Sequence, residues 1–268
     1  MKKAIYKENS IHDDNIIVHE EREDIRLNKF ISDSGFCSRR EADRYIEEKK
    51  VTIDGKVALL GTRLRGSEDV RVNGKRIKVK DNHVYLMLHK PTGITCTNDL
   101  RIEGNIRSYV DYKELVFPIG RLDKDSSGLI LLTNDGDIVN KILRAEYGHE
   151  KEYVVTVNSD INDEFLRKIG NGVKILNQVT NKMQVTKKCE VKYLDRRTFK
   201  IVLTQGLNRQ IRRMTETLGY TVKSLKRVRI MHIRLGDLKV GEWRYLNNEE
   251  LIKLNEMVGG NDRKRKNA

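Results

Sequence analysis

Proline is nearly absent from this 268-residue chain, which has only Pro91 and Pro118. A proline-rich spacer between domains is therefore excluded. Cysteine is also scarce. Cys37, Cys96 and Cys189 are far apart and odd in number, which excludes a disulfide framework and fits a reducing compartment. No uninterrupted apolar run approaches the ~18 residues that a membrane span needs. Met1-Lys2-Lys3-Ala4 has no apolar stretch behind it, so a secretory signal is not expected and a cytoplasmic protein is. The six histidines show no His-x-x-x-His spacing and the cysteines no Cys-x-x-Cys, so no metal is expected. A glycine-rich nucleotide motif in the right context and a repeat at a solenoid period are both missing.

Charge is abundant. There are 53 Lys+Arg against 39 Asp+Glu, a net +14, and such a surface attracts polyanions. The charge is unevenly placed. Residues 1–24 hold four Lys/Arg against seven Asp/Glu and read as an acidic, mobile leader. Residues 25–80 hold 15 against 8, residues 81–260 hold 30 against 23, and the tail 261–268 holds four against one. The basic excess per residue is thus greatest in a small N-terminal block and in the tail. Lys78 to His83 is the expected boundary between the block and a larger domain.

The block reads as an α+β module. Leu27, Phe30 and Ile31 fall on one helical face, and Gly35 ends that helix. Ser38-Arg39-Arg40-Glu41 has the form of a capping box, with Ala42, Tyr45 and Ile46 as the apolar face of a second helix. Val51-Thr52-Ile53 followed by Asp54-Gly55, and Val70-Arg71-Val72 followed by Asn73-Gly74, are strand-and-turn signals, with Ile77-Lys78-Val79 as a further strand. Arg39 and Arg40 fall in the first turn of a helix, where the dipole disfavours cations by a few tenths to ~1 kcal/mol each. Solvated surface arginines are one reading. A phosphate bound between two guanidiniums and a helix N-terminus is the sharper one.

Three further stretches carry the chemistry. Val84 to Gly93 is a strand ended by Lys90-Pro91 and a turn glycine. Gly120-Arg-Leu-Asp123-Lys-Asp125-Ser-Ser-Gly128 is a polar loop leading into Leu129–Leu132, a continuous apolar run that reads as a buried strand. Loops held by a rigid sheet are common seats of chemistry. Asp123 and Asp125 are a weak glycosidase signal, because residues two apart probe different directions; turn aspartates capping backbone amides are the competing reading. In the third stretch, Leu207, Ile211, Met214 and Leu218 form a helical stripe ended by Gly219. Arg209, Arg212 and Arg213 lie off the stripe, with Arg212 flanking it. They read either as a solvated basic face or as a phosphate-binding row with one arginine partnering a buried carboxylate.

Leu27-Asn-Lys-Phe-Ile-Ser, Ser38-Arg-Arg-Glu-Ala-Asp and Val51-Thr-Ile-Asp-Gly together resemble the S4 RNA-binding domain. The resemblance implies RNA contacts by Lys29, Arg39, Arg40 and Arg44. Lys90-Pro-Thr-Gly, Gly120-Arg-Leu-Asp-Lys-Asp-Ser-Ser-Gly and Asn208-Arg-Gln-Ile-Arg-Arg-Met resemble the RsuA/RluB/RluE/RluF group of RNA pseudouridine synthases over residues 25–246. Lys141–Ala145, His149–Tyr153 and Val228–Met231 are most similar to its RluF branch, which acts on large-subunit rRNA. The implied fold is α+β: a small S4 module, then a synthase domain with a mixed, largely antiparallel sheet and a central cleft. The implied catalytic residues are Asp123, Tyr153 stacked on the target uracil, and Arg212 paired with Asp123. Arg121, filling the space of an extruded base, and Lys90, Arg209 and Arg213 complete the expected RNA contacts, while Asp125 falls outside the expected site. No cofactor is implied. The expected partner is structured rRNA, a 23S stem-loop, met by a monomer that needs neither a membrane nor an obligate protein partner. A non-enzymatic RNA-binding protein and a glycoside hydrolase using Asp123 are the rival readings. Whether Asp123 attacks the ribose or removes a proton stays open.

Overall fold

A computed structural model describes residues 3–8, 17, 24–79, 82–143 and 148–266, the last eight of these by main chain alone. The N-terminal module forms as its local signals dictate. Helices Leu27–Asp33 and Arg39–Glu47 pack together, and Ser38 caps the second by accepting from the Glu41 amide at 3.3 Å. Asp54 and Gly55 both have positive φ, as do Asn73 and Gly74. That is the left-handed turn geometry that joins antiparallel strands without splaying them. The turns close strand Val51–Ile53 on Lys56–Val57 and Val70–Val72 on Lys75–Arg76. The last strand lies slightly earlier than Ile77–Val79, with Ile77 still donating to Val70 O at 3.0 Å. Leu27, Ile31, Ala42, Ile46, Val51, Leu64, Val70 and Val72 form this module's own core.

The larger domain is built on a mixed, largely antiparallel sheet. Its central order is Glu242–Tyr245, Tyr85–Lys90, Ser127–Thr133, Val222–Ile230, Lys151–Val157, Thr198–Leu203 and Glu190–Asp195. Within this run only Ser127–Thr133 and Val222–Ile230 pair in parallel. Every residue of Tyr85–Lys90 is buried, because both sheet faces are covered. Tyr85, Met87, Leu129 and Leu131 face helices Gly136–Leu143 and Asn248–Lys266, while Leu86, Leu88, Ile130 and Leu132 face Ile106, Val110 and Leu122. A second core under Lys151–Val157 and Thr198–Leu203 seats helices Asp163–Gly170 and Gln210–Thr217. No helix among the described residues is long and apolar enough to cross a membrane.

The leader differs in part from expectation. Part of the leader is not mobile: Ile5–Tyr6 adds a parallel edge strand beside Glu242–Tyr245, and Ala4 donates to Tyr109 O at 2.8 Å. Tyr6 packs on Trp243 with ring centroids 4.7 Å apart, and Ile17 lies in the core with Tyr85 and Met87. Ile5 and Tyr6 stay exposed on this edge, whereas Ile17 is buried. The leader's other residues, 1–2, 9–16 and 18–23, lie outside the described residues. The basic tail is a continuation of the last helix, whose main chain stays helical to Lys266.

Candidate active site

The loop between strands Phe117–Ile119 and Ser127–Thr133 holds Asp123. It is fastened on both sides of that residue. Leu122 N donates to Cys96 Sγ at 3.4 Å, and Lys124 O accepts from Gly93 N at 2.7 Å. Ser126 N closes the turn by donating to Asp123 O at 3.0 Å. The Asp123 carboxylate is left partly open, its side chain 30% exposed.

Gly128, where the loop enters the sheet, has φ +108° and faces Arg227 across the parallel pair. A Cβ there would lie 2.2 Å from Arg227 O and 2.5 Å from Arg227 N. Only glycine permits this main-chain approach. The same register runs on: Gly128 lies opposite Lys90 on one side and Arg227 on the other, and Arg227 lies opposite Tyr153. The sheet therefore aligns Lys90, Gly128, Arg227 and Tyr153 in one row across four strands. A register shift between Glu152 and Tyr153 sets the tyrosine's place in that row. Tyr153 packs against the cluster that holds Leu122, the residue before Asp123.

The arginine partnerships differ from those expected. Arg212 does not pair with Asp123. Its Nη2 reaches Asp125 Oδ2 at 3.3 Å, Asp125 O at 3.0 Å and Ser126 Oγ at 3.3 Å. Arg209 is the guanidinium at Asp123, with Nη1 3.7 Å from Oδ2, and it also grips Asp125 through two hydrogen bonds of 3.1 and 3.2 Å. The helix Gln210–Thr217 starts one residue later than the arginine row, with Arg209 at a left-handed N-cap (φ 46°). That kink swings Arg209 to the front of the loop while Arg212 enters from below, largely buried. Asp125, set outside the expected site, is thus its main charge partner. Burial raises its carboxyl, but the hydrogen bonds and charges of Arg209 and Arg212 outweigh this and hold it below the usual carboxylate range.

Two expected RNA contacts are turned inward. Lys90 is fully buried, and its Nζ donates to Pro91 O at 2.7 Å and Ile94 O at 2.9 Å. Burial, and then the Arg227 charge, push its ammonium down to about 8 against the pull of Cys96, Asp123 and Asp125. Its work is to hold the loop that braces Asp123. Lys29 bridges Asp33 of its own helix and Asp137 of the larger domain, at 3.2 Å from the latter. Arg213, half-exposed, donates to the main-chain carbonyls of Leu176 and Asn208. Arg39, Arg40, Arg44 and Arg121 are different: none is ion-paired with a described carboxylate, and all four are exposed.

Arg227 was not signalled by any motif. It is 2% exposed, donates from Nε to Leu129 O at 2.7 Å, and its Nη2 has no hydrogen-bond partner among the described residues. Its one sequence trace is a charged residue two positions after Leu225, at an inward point of a strand. Among the described residues, no group of three or more His, Cys, Asp or Glu could hold a metal ion.

The chain matches the family described as RNA pseudouridylate synthase over residues 84–217 and the S4 domain over residues 25–70. It is 52% identical over 236 residues to the dual-specificity RNA pseudouridine synthase RluF of Escherichia coli O6:H1, covering 87% of this chain and 79% of the relative. It is 35% identical over 240 residues to the ribosomal large subunit pseudouridine synthase B of Bacillus subtilis, covering 87% of this chain and 96% of the relative. A solved crystal structure of a pseudouridylate synthase, 28% identical, aligns with a TM-score of 0.62 over 86% of this chain and 99% of that one.

Proposed function

This chain belongs to the RNA pseudouridylate synthase family, and on that premise we propose that it isomerises a uridine of large-subunit (23S) rRNA to pseudouridine, with Asp123 acting on the flipped nucleotide. The observation that carries the assignment of Asp123 is its setting: a partly open carboxylate, braced at both neighbouring residues, 3.7 Å from Arg209. A uridine inside folded RNA cannot present its glycosidic bond. Flipping it out costs a few kcal/mol of unstacking. The face of Tyr153 recovers ~1–3 kcal/mol by stacking on the uracil. Arg121, exposed in the loop and ion-paired with no described carboxylate, takes the vacated space and a phosphate.

The reaction breaks N1–C1′, turns the uracil, joins C5 to C1′ and releases the C5 proton. It is an isomerisation and needs no redox cofactor or energy source. Asp123 acts on the nucleotide with the Arg209 guanidinium 3.7 Å from its carboxylate. Arg212 acts one step away, by fixing the Asp125 carbonyl and Ser126, and so the back of the loop. Tyr153 is a candidate base for the C5 proton after rejoining. The enzyme works as a cytoplasmic monomer on an rRNA stem-loop.

The test is to incubate the protein with transcribed 23S and 16S rRNA and assay pseudouridine and free uracil. Pseudouridine in 23S rRNA is expected, with Asp123→Asn losing it while RNA affinity stays within a few-fold. Free uracil would indicate a hydrolase. Unchanged but bound RNA would indicate a binding protein.

A further inference from the structure

Between the N-terminal module and the larger domain lies a cleft of about 1300 Å3. Its floor is closed by the Lys29 bridge to Asp33 and Asp137, whose side chains are 14%, 17% and 19% exposed. One wall is the start of helix Arg39–Glu47, with Arg39, Arg40 and Arg44. The opposite wall belongs to the synthase domain and carries Arg101 and Arg107. These five guanidiniums line one cleft from two sides, together with Arg26, Arg63 and the carboxylates of Asp24, Glu41 and Asp99. Arg101 is held in place by Asp99, with Nη2–Oδ2 2.6 Å and Nε–Oδ1 2.9 Å. Arg39, Arg40, Arg44 and Arg107 are ion-paired with no described carboxylate. The cleft's carboxylates offset part of this charge, Asp99 being held down by Arg101 and then by Arg44 across the gap, and the remaining guanidiniums repel unless a further anion lies between them.

The second wall is mechanically joined to the catalytic loop. The segment carrying Arg101 and Arg107 is pinned at its base, where Thr95 N donates to Gly104 O at 2.8 Å and Ile106 N to Thr95 O at 2.9 Å. The next residue, Cys96, receives the Leu122 amide at 3.4 Å, one residue from Asp123. Asn98 Nδ2 holds Val116 O at 2.9 Å, on the approach to the same loop. A strand gripped in the cleft is therefore anchored to the frame that positions Asp123.

We propose that this cleft is a two-walled clamp for the sugar-phosphate backbone of the substrate RNA beside its target uridine, with Arg101 and Arg107 of the synthase domain opposing Arg39, Arg40 and Arg44. The proposal rests on the rRNA-modifying reading above, and extends RNA contact to a wall that the S4 resemblance does not include. Phosphates between the walls neutralise both sets of arginines, whereas a neutral or cationic ligand leaves the repulsion in place. Guanidiniums also suit phosphate better than lysines would, since each presents a planar fork of donors.

The experiment uses the full-length protein and transcribed 23S rRNA, with the dissociation constant measured at several salt concentrations. The variants are Arg107→Ala, Arg101→Ala, Arg40→Ala and, as a charge-matched control outside the cleft, Arg167→Ala on helix Asp163–Gly170. Thermal melting checks that each is folded. Arg107→Ala and Arg40→Ala are each expected to weaken binding several-fold and to reduce the slope of log K against log salt by ~0.7–0.9. Arg167→Ala is expected to keep the wild-type slope. If Arg107→Ala and Arg101→Ala both bind like wild type while Arg40→Ala loses affinity, the synthase wall does not touch RNA and the clamp is overturned. Equal losses for Arg167→Ala and Arg107→Ala overturn it too, since diffuse charge then explains the binding. Wild-type protein that binds this RNA without forming pseudouridine contradicts the proposed activity alone, because the clamp is read from affinity and salt slope.

Discussion

Arg209 holds Asp125 through both of its terminal nitrogens, at 3.1 and 3.2 Å, and leaves Asp123 a single, longer approach of 3.7 Å. The two carboxylates of the loop thus share one guanidinium unequally. Asp125 is the anchor, and Asp123 stays available. Asp125→Asn should shift Arg209 toward Asp123, because the stronger competitor for its charge is gone. The expected result is a single-turnover rate roughly tenfold down, about 1.4 kcal/mol in the barrier, but not the complete loss predicted for Asp123→Asn. Quenched-flow assay of pseudouridine in 23S rRNA measures both. Complete loss in Asp125→Asn would make Asp125 itself indispensable.

Arg212→Ala should cost more than Arg213→Ala in both stability and activity. Arg212 is buried and hydrogen-bonds the Asp125 carbonyl and Ser126 Oγ, whereas Arg213 binds carbonyls at a half-exposed site. Losing a buried charge-assisted bond removes ~1.5–3 kcal/mol. The urea midpoint and the single-turnover rate, taken together, check this. Arg212→Lys should recover part of the stability while still failing to span Asp125 and Ser126, since a lysine has no planar fork.

Gly128→Ala should destabilise the protein by at least ~2 kcal/mol, through both the φ of +108° and the clash with Arg227 main chain at 2.2 Å. The partner is backbone within a sheet and has no rotamer by which to yield. Gly206→Ala, where nothing lies within 4 Å and φ is not in the left-handed region, is the matched control and should melt near the wild-type temperature. Thermal melts of the two variants check this prediction.

Lys90 should make folding stability depend on alkaline pH. Its ammonium is pushed from the ordinary 10.5 to about 8 by burial, assisted by Arg227. The unfolded chain therefore binds this proton more tightly. The penalty on the folded state is full below about 8 and fades as pH rises toward 10.5, so this residue's contribution grows more favourable with pH in that window. The wild-type free energy of unfolding, minus that of Lys90→Met, should rise between pH 7.5 and 10, with a slope of at most ~1.4 kcal/mol per pH unit. Urea titrations across that range measure it. A flat difference would mean that Lys90 is charged throughout, or neutral throughout, in the folded protein.

Much of the fold was legible from the chain alone, and the legible parts share a physical cause. The Ser38 cap, the left-handed Asp54-Gly55 and Asn73-Gly74 turns, the apolar stripe before Gly219 and the buried Leu129–Leu132 strand are set by sterics and hydrogen bonds within a few residues. So was the loop that carries Asp123, bounded by two glycines of positive φ.

Tertiary structure alone decided who meets whom. Helical spacing put Arg212 near the inward face, but the left-handed N-cap at Arg209 determined which guanidinium reaches Asp123 and which supports Asp125. Lys29 and Lys90 are expected from sequence as RNA contacts, because nothing near them in the chain reveals Asp137, 108 positions from Lys29, or the sheet that covers Lys90 on both faces. Ile5–Tyr6 is too short to signal a strand, and it becomes one only when Glu242–Tyr245 presents an edge to pair with. Arg227 enters the site solely through register, between Gly128 and Tyr153. Local stereochemistry is written in neighbouring residues, whereas charge pairing and burial depend on distances that only the folded chain sets.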